Sequence, residues 1–344
     1  MKLLKFSCIA TTVLLLSSCG ASISKLKQSV QPAIMEAVFA PEEQGLNIVK
    51  ITDENSQDVF RPHVFRGGSM SRFARDPYAG TSDVRWSAGR YLAISPDGTE
   101  LAYLSEVNDQ PNVMIRKTTS TGASTQRTFR IVDDFTWGPD DKLYFSDRSN
   151  NYSEISTTNA HSGALMTQLT RQNKDINPAL SLDGKKLFFT RIDKGGPAIW
   201  CYGLKDGTLT MCARGYNPTP INSTTFLCSR NSTNGHTEIW SIDYVKGVET
   251  VIISNKEKGF SSPSLSPDGK WILCQGTSNY NGEISNVDIY AVRNDGTEII
   301  QLTYHPGHDL CPTWSNDGKY VYFLSNRANL KDKWNVWKMQ FILE

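Results

Sequence analysis

The sequence predicts an all-β fold: a six-bladed β-propeller whose ring is closed by an N-terminal strand pairing with the C-terminal blade. Three observations predict it. A turn of the form Ser-x-Asp-Gly recurs at 95–98, 181–184, 266–269 and 315–318, with looser copies at 138–141 and 221–224. In such a turn Asp caps the backbone and Gly accepts a positive φ, which is hairpin chemistry. Each copy is followed by an apolar run, then by a strand carrying Ile or Val next to an aromatic residue (Ile199 and Trp200, Ile239 and Trp240, Ile289 and Tyr290, Val336 and Trp337). A fourth strand ends in Leu-Thr or a close variant, as at Leu169 and Thr170 or Leu302 and Thr303. Four short strands repeated six times, at roughly 39–49 residues per repeat, make a propeller. Composition agrees, with 25 Gly, 15 Pro, 14 Phe, 13 Tyr and 8 Trp.

Taken in chain order, the first segment stands apart from the fold. Lys2 and Lys5 precede an apolar run at 8–16 that is too short to span a bilayer, which takes roughly 20 residues. Leu16, Ser17, Ser18 and Cys19 resemble a bacterial lipobox, which implies a signal peptide at 1–18 and acyl chains on Cys19. Each buried methylene contributes about 0.8 kcal/mol, so several chains hold a protein on a membrane. No other cofactor is expected. Gly20, rather than Asp, follows the Cys, which places the protein on the outer membrane facing the periplasm. Residues 19–45 read as a lipidated tether and 46–344 as the propeller. Within it, 47–52 look like an orphan fourth strand, ready to complete the last blade and remove its free edges. A long insertion at 53–90, with six Arg, no Lys and several aromatic residues, reads either as a lid over the channel or as a disordered excursion.

The order of Leu-Thr, Pro-x-x-Ser-x-Asp-Gly, aromatic strand and Ser-x-Arg resembles the TolB-type propeller repeat over residues 46–344. The second repeat is one residue short and the fourth has lost its Asp-Gly. The resemblance implies the fold; a propeller by itself says little about function.

Strand direction sorts the loops. The Asp-Gly turns and the third-to-fourth-strand turns share one face. The opposite face collects the blade-to-blade loops, the second-to-third-strand loops and the insertion, and loops on a rigid scaffold carry binding residues. Arg148, Arg191, Arg230 and Arg327 end second strands on that face, where guanidinium groups can meet carboxylates or phosphates; equally, they can brace blades. Tyr91, Asp134, Asn177, Asn217, Ser262 and Cys311 open the innermost strands and form a polar ring at the channel, suited to a ligand or to water. Asp309 lies beside them.

Charge and motifs exclude several classes. Lys plus Arg number 36 against 35 Asp plus Glu, so there is no basic field for DNA or RNA. No Gly-x-Ser-x-Gly elbow is present. His305 and His308 flank Pro-Gly, a turn rather than a helical zinc pair, and a metal would need His236, Asp309 or His63 in addition. Related repeats in pectic oligosaccharide lyases hold a metal at the channel mouth, which keeps that enzyme as the alternative. The expected function is a non-catalytic scaffold for an envelope protein, peptide or glycan. Among the cysteines, a two-residue turn would set Cys201 opposite Cys212 within disulfide range, whereas a three-residue loop would turn them to opposite faces. Cys228 and Cys274 read as buried packing residues, and Cys311 as an accessible thiol.

Overall fold

The computed structural model describes residues 40–52 and 90–343, apart from short gaps at 108–109, 120–122, 150–151, 172, 234–235, 281–282 and 329–333. The signal peptide, Cys19 and the insertion at 53–89 lie outside the described residues.

A two-residue strand, β1 (Val49–Lys50), precedes the blades. Blade 1 comprises β2 (Leu92–Ile94), β3 (Glu100–Val107), β4 (Gln110–Lys117) and β5 (Thr125–Gln126). Blade 2 comprises β6 (Val132–Trp137), β7 (Lys142–Asp147), β8 (Glu154–Asn159) and β9 (Thr167–Gln168). Blade 3 runs through β10 (Asp175–Leu180), β11 (Lys186–Asp193), β12 (Gly196–Gly203) and β13 (Leu209–Arg214). Blade 4 runs through β14 (Tyr216–Pro220), β15 (Thr225–Asn231), β16 (Thr237–Asp243) and β17 (Val248–Ile253). Blade 5 holds β18 (Lys258–Leu265), β19 (Trp271–Tyr280), β20 (Glu283–Arg293) and β21 (Ile299–Gln301). Blade 6 holds β22 (Asp309–Trp314), β23 (Tyr320–Ser325) and β24 (Asn335–Gln340), and its fourth strand is β1. Every blade is an antiparallel four-stranded sheet, and the six make the expected propeller.

The recurring turn owes its shape to two side chains. Ser95 Oγ donates to Asp97 Oδ1 (2.6 Å) and accepts from Glu100 N–H (2.9 Å), while Asp97 Oδ1 also accepts from Thr99 N–H (2.9 Å). Ser181 with Asp183, Ser266 with Asp268 and Ser315 with Asp317 repeat the arrangement. The eroded copy in blade 4 survives because Asn222 Oδ1 takes over as acceptor for the amides of Thr224 and Thr225.

The ring closes as the orphan strand predicts. Val49 pairs with Lys338 and Lys50 with Trp337. Thr52 Oγ1 donates to Asn335 Oδ1 (2.9 Å) and accepts from Val336 N–H (3.0 Å). The docked segment starts earlier than residue 46: a short 3-10 turn, Pro41–Glu43, lays Glu43 into the body of blade 6.

Four innermost strands share a bulge. Asn177, Asn217, Ser262 and Cys311 each precede a proline and take positive φ (53–55°), at the point where the first and second strands shift register. A left-handed backbone at a residue other than glycine costs roughly 1–2 kcal/mol, so something must hold it. The holder is the preceding blade. Asn177 N–H donates to Asp134 Oδ2 (2.9 Å), Asn217 N–H to Thr190 Oγ1 (3.2 Å), Ser262 N–H to Ser229 Oγ (3.2 Å) and Cys311 N–H to Gln275 Oε1 (2.7 Å).

The cysteine hairpin follows neither register read from the sequence. Gly203 N–H bonds Thr208 O across a four-residue loop, so Cys201 faces Thr210. Asp206 accepts from the Thr208 amide and Gly207 takes φ +70°, chemistry that closes the longer loop. A second shift follows, with Trp200 opposite Met211 but Ile199 opposite Ala213, which leaves Cys212 as the extra residue of a bulge. No described cysteine is in a disulfide.

Candidate functional site: the central channel

The channel is walled by the innermost strands. On the side of the Asp-Gly turns it opens into a cavity of about 560 Å³. Leu92, Ile94, Trp137, Leu180, Leu265 and Trp314 supply its apolar wall, and the turn residues Leu182, Asp268 and Asn316 form its rim. Leu182 is 71% exposed, so the cavity reaches the surface there. Its inner end is made by Asn217, Ser262, Cys311 and Arg90.

Arg90 crosses the channel from the start of blade 1 to blade 4. Its Nη2 donates to Pro218 O (2.5 Å) and Thr219 Oγ1 (2.6 Å). Burial pulls this guanidinium down to about 10, although the nearby Asp134 carboxylate opposes the shift. Among the described residues no carboxylate lies within ion-pair distance of Arg90. The sequence signal was thin: Arg90 reads only as the last basic residue of the insertion.

The ring residues read from the sequence do gather at the channel, and most are engaged in holding blades together. Asp134 accepts from Ser146 Oγ and from both the amide and side-chain nitrogens of Asn177. Asn217 Nδ2 donates to Ser262 Oγ (3.2 Å), which also accepts from Gln275 Nε2 (3.3 Å). Tyr91 is buried. Thr190, Ser229 and Gln275, the seam acceptors, escaped the sequence reading. Their signal is a polar residue following the aromatic or Cys position of the second strand. Cys311 corrects an expectation: it is 6% exposed rather than accessible, and burial pushes its thiol up to about 12.

The four arginines each meet a carboxylate within their own blade. Arg148 Nη2 lies 2.8 Å from Asp133 Oδ1. Arg191 grips Asp175 through Nε (2.7 Å) and Nη2 (2.8 Å) and stacks over Trp200. Arg230 grips Glu249 at 2.7 and 2.9 Å on the outer strand and covers Trp240. Arg327 joins Asp309 Oδ2 (2.7 Å) to Glu43 (3.0 and 3.2 Å). Asp309 is fully buried, and burial raises its pKa against the pull of Arg327.

The histidines have separate partners. His305 Nδ1 accepts from Gly307 N–H (2.8 Å). His308 stacks on Trp334, and burial lowers its pKa. His236 lies in blade 4, where its carbonyl accepts from Ser232 N–H (2.7 Å). Among the described residues no group of three or more His, Cys, Asp or Glu is arranged to hold a metal ion; His63 lies outside them.

A family profile described as "TolB beta propeller domain" matches residues 91–287. The chain belongs to the TolB β-propeller family. It is 26% identical over 175 residues to a TolB homologue of Chlorobium luteolum, covering 47% of this chain and 35% of that one. It thus spans about a third of the length of the curated relatives it matches. Among solved structures, TolB from Acinetobacter baumannii aligns with a TM-score of 0.55 at 19% identity, over 65% of this chain and 56% of that one. Oligogalacturonate lyase from Vibrio parahaemolyticus aligns with a TM-score of 0.54 at 10% identity, over 85% and 93%. Likeness at such identities establishes the TolB-type ring and nothing about chemistry.

Proposed function

We propose that this TolB-family propeller is an exported, lipid-anchored binding protein that holds an envelope protein, peptide or glycan without catalysing a reaction. The observation that supports it best is the channel cavity: a mostly apolar wall ending on a guanidinium that meets no carboxylate among the described residues. That shape suits an apolar segment carrying a carboxylate, because a charge-assisted bond to Arg is stronger away from water. The loop-rich face, proposed from sequence as the docking surface, has its four arginines engaged within the blades and would contribute through its loops instead. Export and acylation rest on the pattern ending at Cys19.

A photoreactive side chain at position 182 tests the channel reading. It should cross-link a discrete envelope component, and Arg90→Gln should weaken that capture about tenfold, the loss expected for one charge-assisted hydrogen bond. Equal capture by both proteins would sink the reading. Cys19→Ala should move the protein out of the membrane fraction; unchanged partitioning would remove the anchor.

A metal-dependent lyase-like enzyme is the second reading, prompted by the shared ring with oligogalacturonate lyase. It requires His305 or His308 to act with residues outside the described set. Turnover of a uronate oligosaccharide that is lost in His308→Ala, with stability kept, would favour it.

A further inference from the structure

Blade 3 carries two thiols on neighbouring strands at the edge of the seam with blade 4. The β12–β13 bulge turns Cys212 out of register and into the cluster that holds Cys201, Phe188, Phe226 and Tyr244. Both thiols belong to that cluster, and Cys212 Sγ donates to Thr210 O at 3.7 Å. Cys201 is 6% exposed, whereas Cys212 is only partly buried, so one sulfur meets solvent and the other backs it. Lys186 completes the group. Its Nζ donates to Tyr244 OH (2.8 Å) and Ser223 O (3.2 Å), which fixes a cation beside the sulfurs. The neighbouring Cys212 thiol and the charge of Lys186 lower the pKa of Cys201, while that of Cys212 is raised. The pair therefore gives up one proton readily and keeps the other. Cys228 and Cys274 differ: both are fully buried, with thiols pushed to about 12 and above the usual range.

We propose that Cys201 and Cys212 form a dithiol that a disulfide-bearing oxidant converts into an intramolecular disulfide, tying the two outer strands of blade 3 at their bulge. The Cys201 thiolate takes the proton of the half-buried Cys212, whose sulfur attacks one sulfur of the oxidant R–S–S–R, forming a mixed disulfide and expelling one thiolate, which takes the proton back from Cys201. The Cys201 thiolate then attacks Cys212 Sγ and expels the second. Two thiols lose two electrons and two protons, and the oxidant becomes two molecules of thiol. The reaction needs only a local movement, because Cys212 lies on the strand paired with that of Cys201, two residues beyond the Thr210 that faces it, in the same cluster.

Oxidised glutathione, applied to the purified full chain and followed by alkylation and tryptic mass spectrometry, tests this. Cleavage at Lys194, Lys205 and Arg214 separates the two cysteines, so closure should appear as peptide 195–205 joined to 206–214 and should vanish with dithiothreitol. Cys201→Ser should instead leave Cys212 as a glutathione adduct, and Lys186→Met should slow closure several-fold. Recovery of both peptides singly from oxidised wild type, alkylated or each carrying glutathione, would overturn the proposal. Closure at an unchanged rate in Lys186→Met would remove the lysine from it.

Discussion

Arg327 lies between two carboxylates, Asp309 of its own blade and Glu43 from the segment leading into the closing strand, with all three side chains fully buried. Glu43 also accepts from the Tyr304 amide (2.9 Å), so the segment is pinned at two points. Removing the guanidinium would leave two buried carboxylates facing each other. Arg327→Met should therefore cost about 3–5 kcal/mol, read as a lower midpoint in urea unfolding. Arg230→Met, whose partner Glu249 is 43% exposed, should cost only about 1 kcal/mol. Equal losses would contradict the distinction drawn from burial. Part of this was legible: an acidic residue stands at or next to the start of the first strand wherever the arginine is buried against it (Asp133, Asp175, Asp309), and Asp175 pairs in register with Arg191. Glu43 was not, because a residue preceding a two-residue strand carries no periodic signal. Asp134 gives a pH prediction. Burial raises it to about 7, overcoming the donors from Ser146 and Asn177. An acid raised above its unfolded value of about 3.9 contributes stability that is present at low pH and lost as pH climbs through 7. Asp288, raised to about 7 mainly by burial and by Asp309, adds to the same slope. Stability should fall between about pH 4 and pH 7 by at most about 1.4 kcal/mol per pH unit for each group, and Asp134→Asn should flatten part of it.

Turns repay the same attention at the scale of the hairpin. Gly269 takes φ +73° with open space where a Cβ would sit, whereas at Gly296 (φ +78°) a Cβ would meet the backbone oxygen of Ile252 at 2.3 Å. Gly269→Ala should cost only the backbone term of about 1 kcal/mol. Gly296→Ala, which must also displace a neighbouring blade, should cost clearly more, and a matched pair of thermal melts decides it. The Asp-Gly turns could be read from sequence because their hydrogen bonds are local. The Cys201 hairpin could not, since Asp-Gly-Thr fits loops of two, three or four residues. The register was set by Asp206 capping Thr208 and by a bulge two pairs further along. The innermost-strand bulges escaped for the opposite reason: the amides they expose are satisfied by side chains 27–43 residues earlier in the chain.

Across the whole ring the seams are of two kinds. From blade 2 round to blade 6, a side chain on each blade holds the left-handed residue of the next. Around blade 1 that chemistry gives way to a single apolar cluster joining blades 6, 1 and 2, in which Leu104 and Leu324 pack with Tyr91, Phe135 and Leu310. Apolar packing also joins blades 3 and 4 (Phe188 on Phe226), and Asn316 Nδ2 donates from blade 6 to Ser95 O and Pro96 O of blade 1. The seams thus differ in whether a left-handed residue is held, and β1 adds two paired residues to the closure. So short a strand leans on Thr52. Its hydroxyl, 1% exposed, satisfies Val336 N–H and Asn335 Oδ1 together. Thr52→Val keeps the shape and strips that hydroxyl, at a cost of about 1–3 kcal/mol. The loss should be local, because β1 and β24 can separate while five blades and the apolar cluster persist. Hydrogen exchange should therefore accelerate about tenfold or more at β24 amides while those of β11 and β15 hold their rates, since 1.4 kcal/mol is a factor of ten in the opening equilibrium. Acceleration shared by all six blades would mean that closure and global unfolding are one event, and that Thr52 fastens the whole ring rather than its last blade.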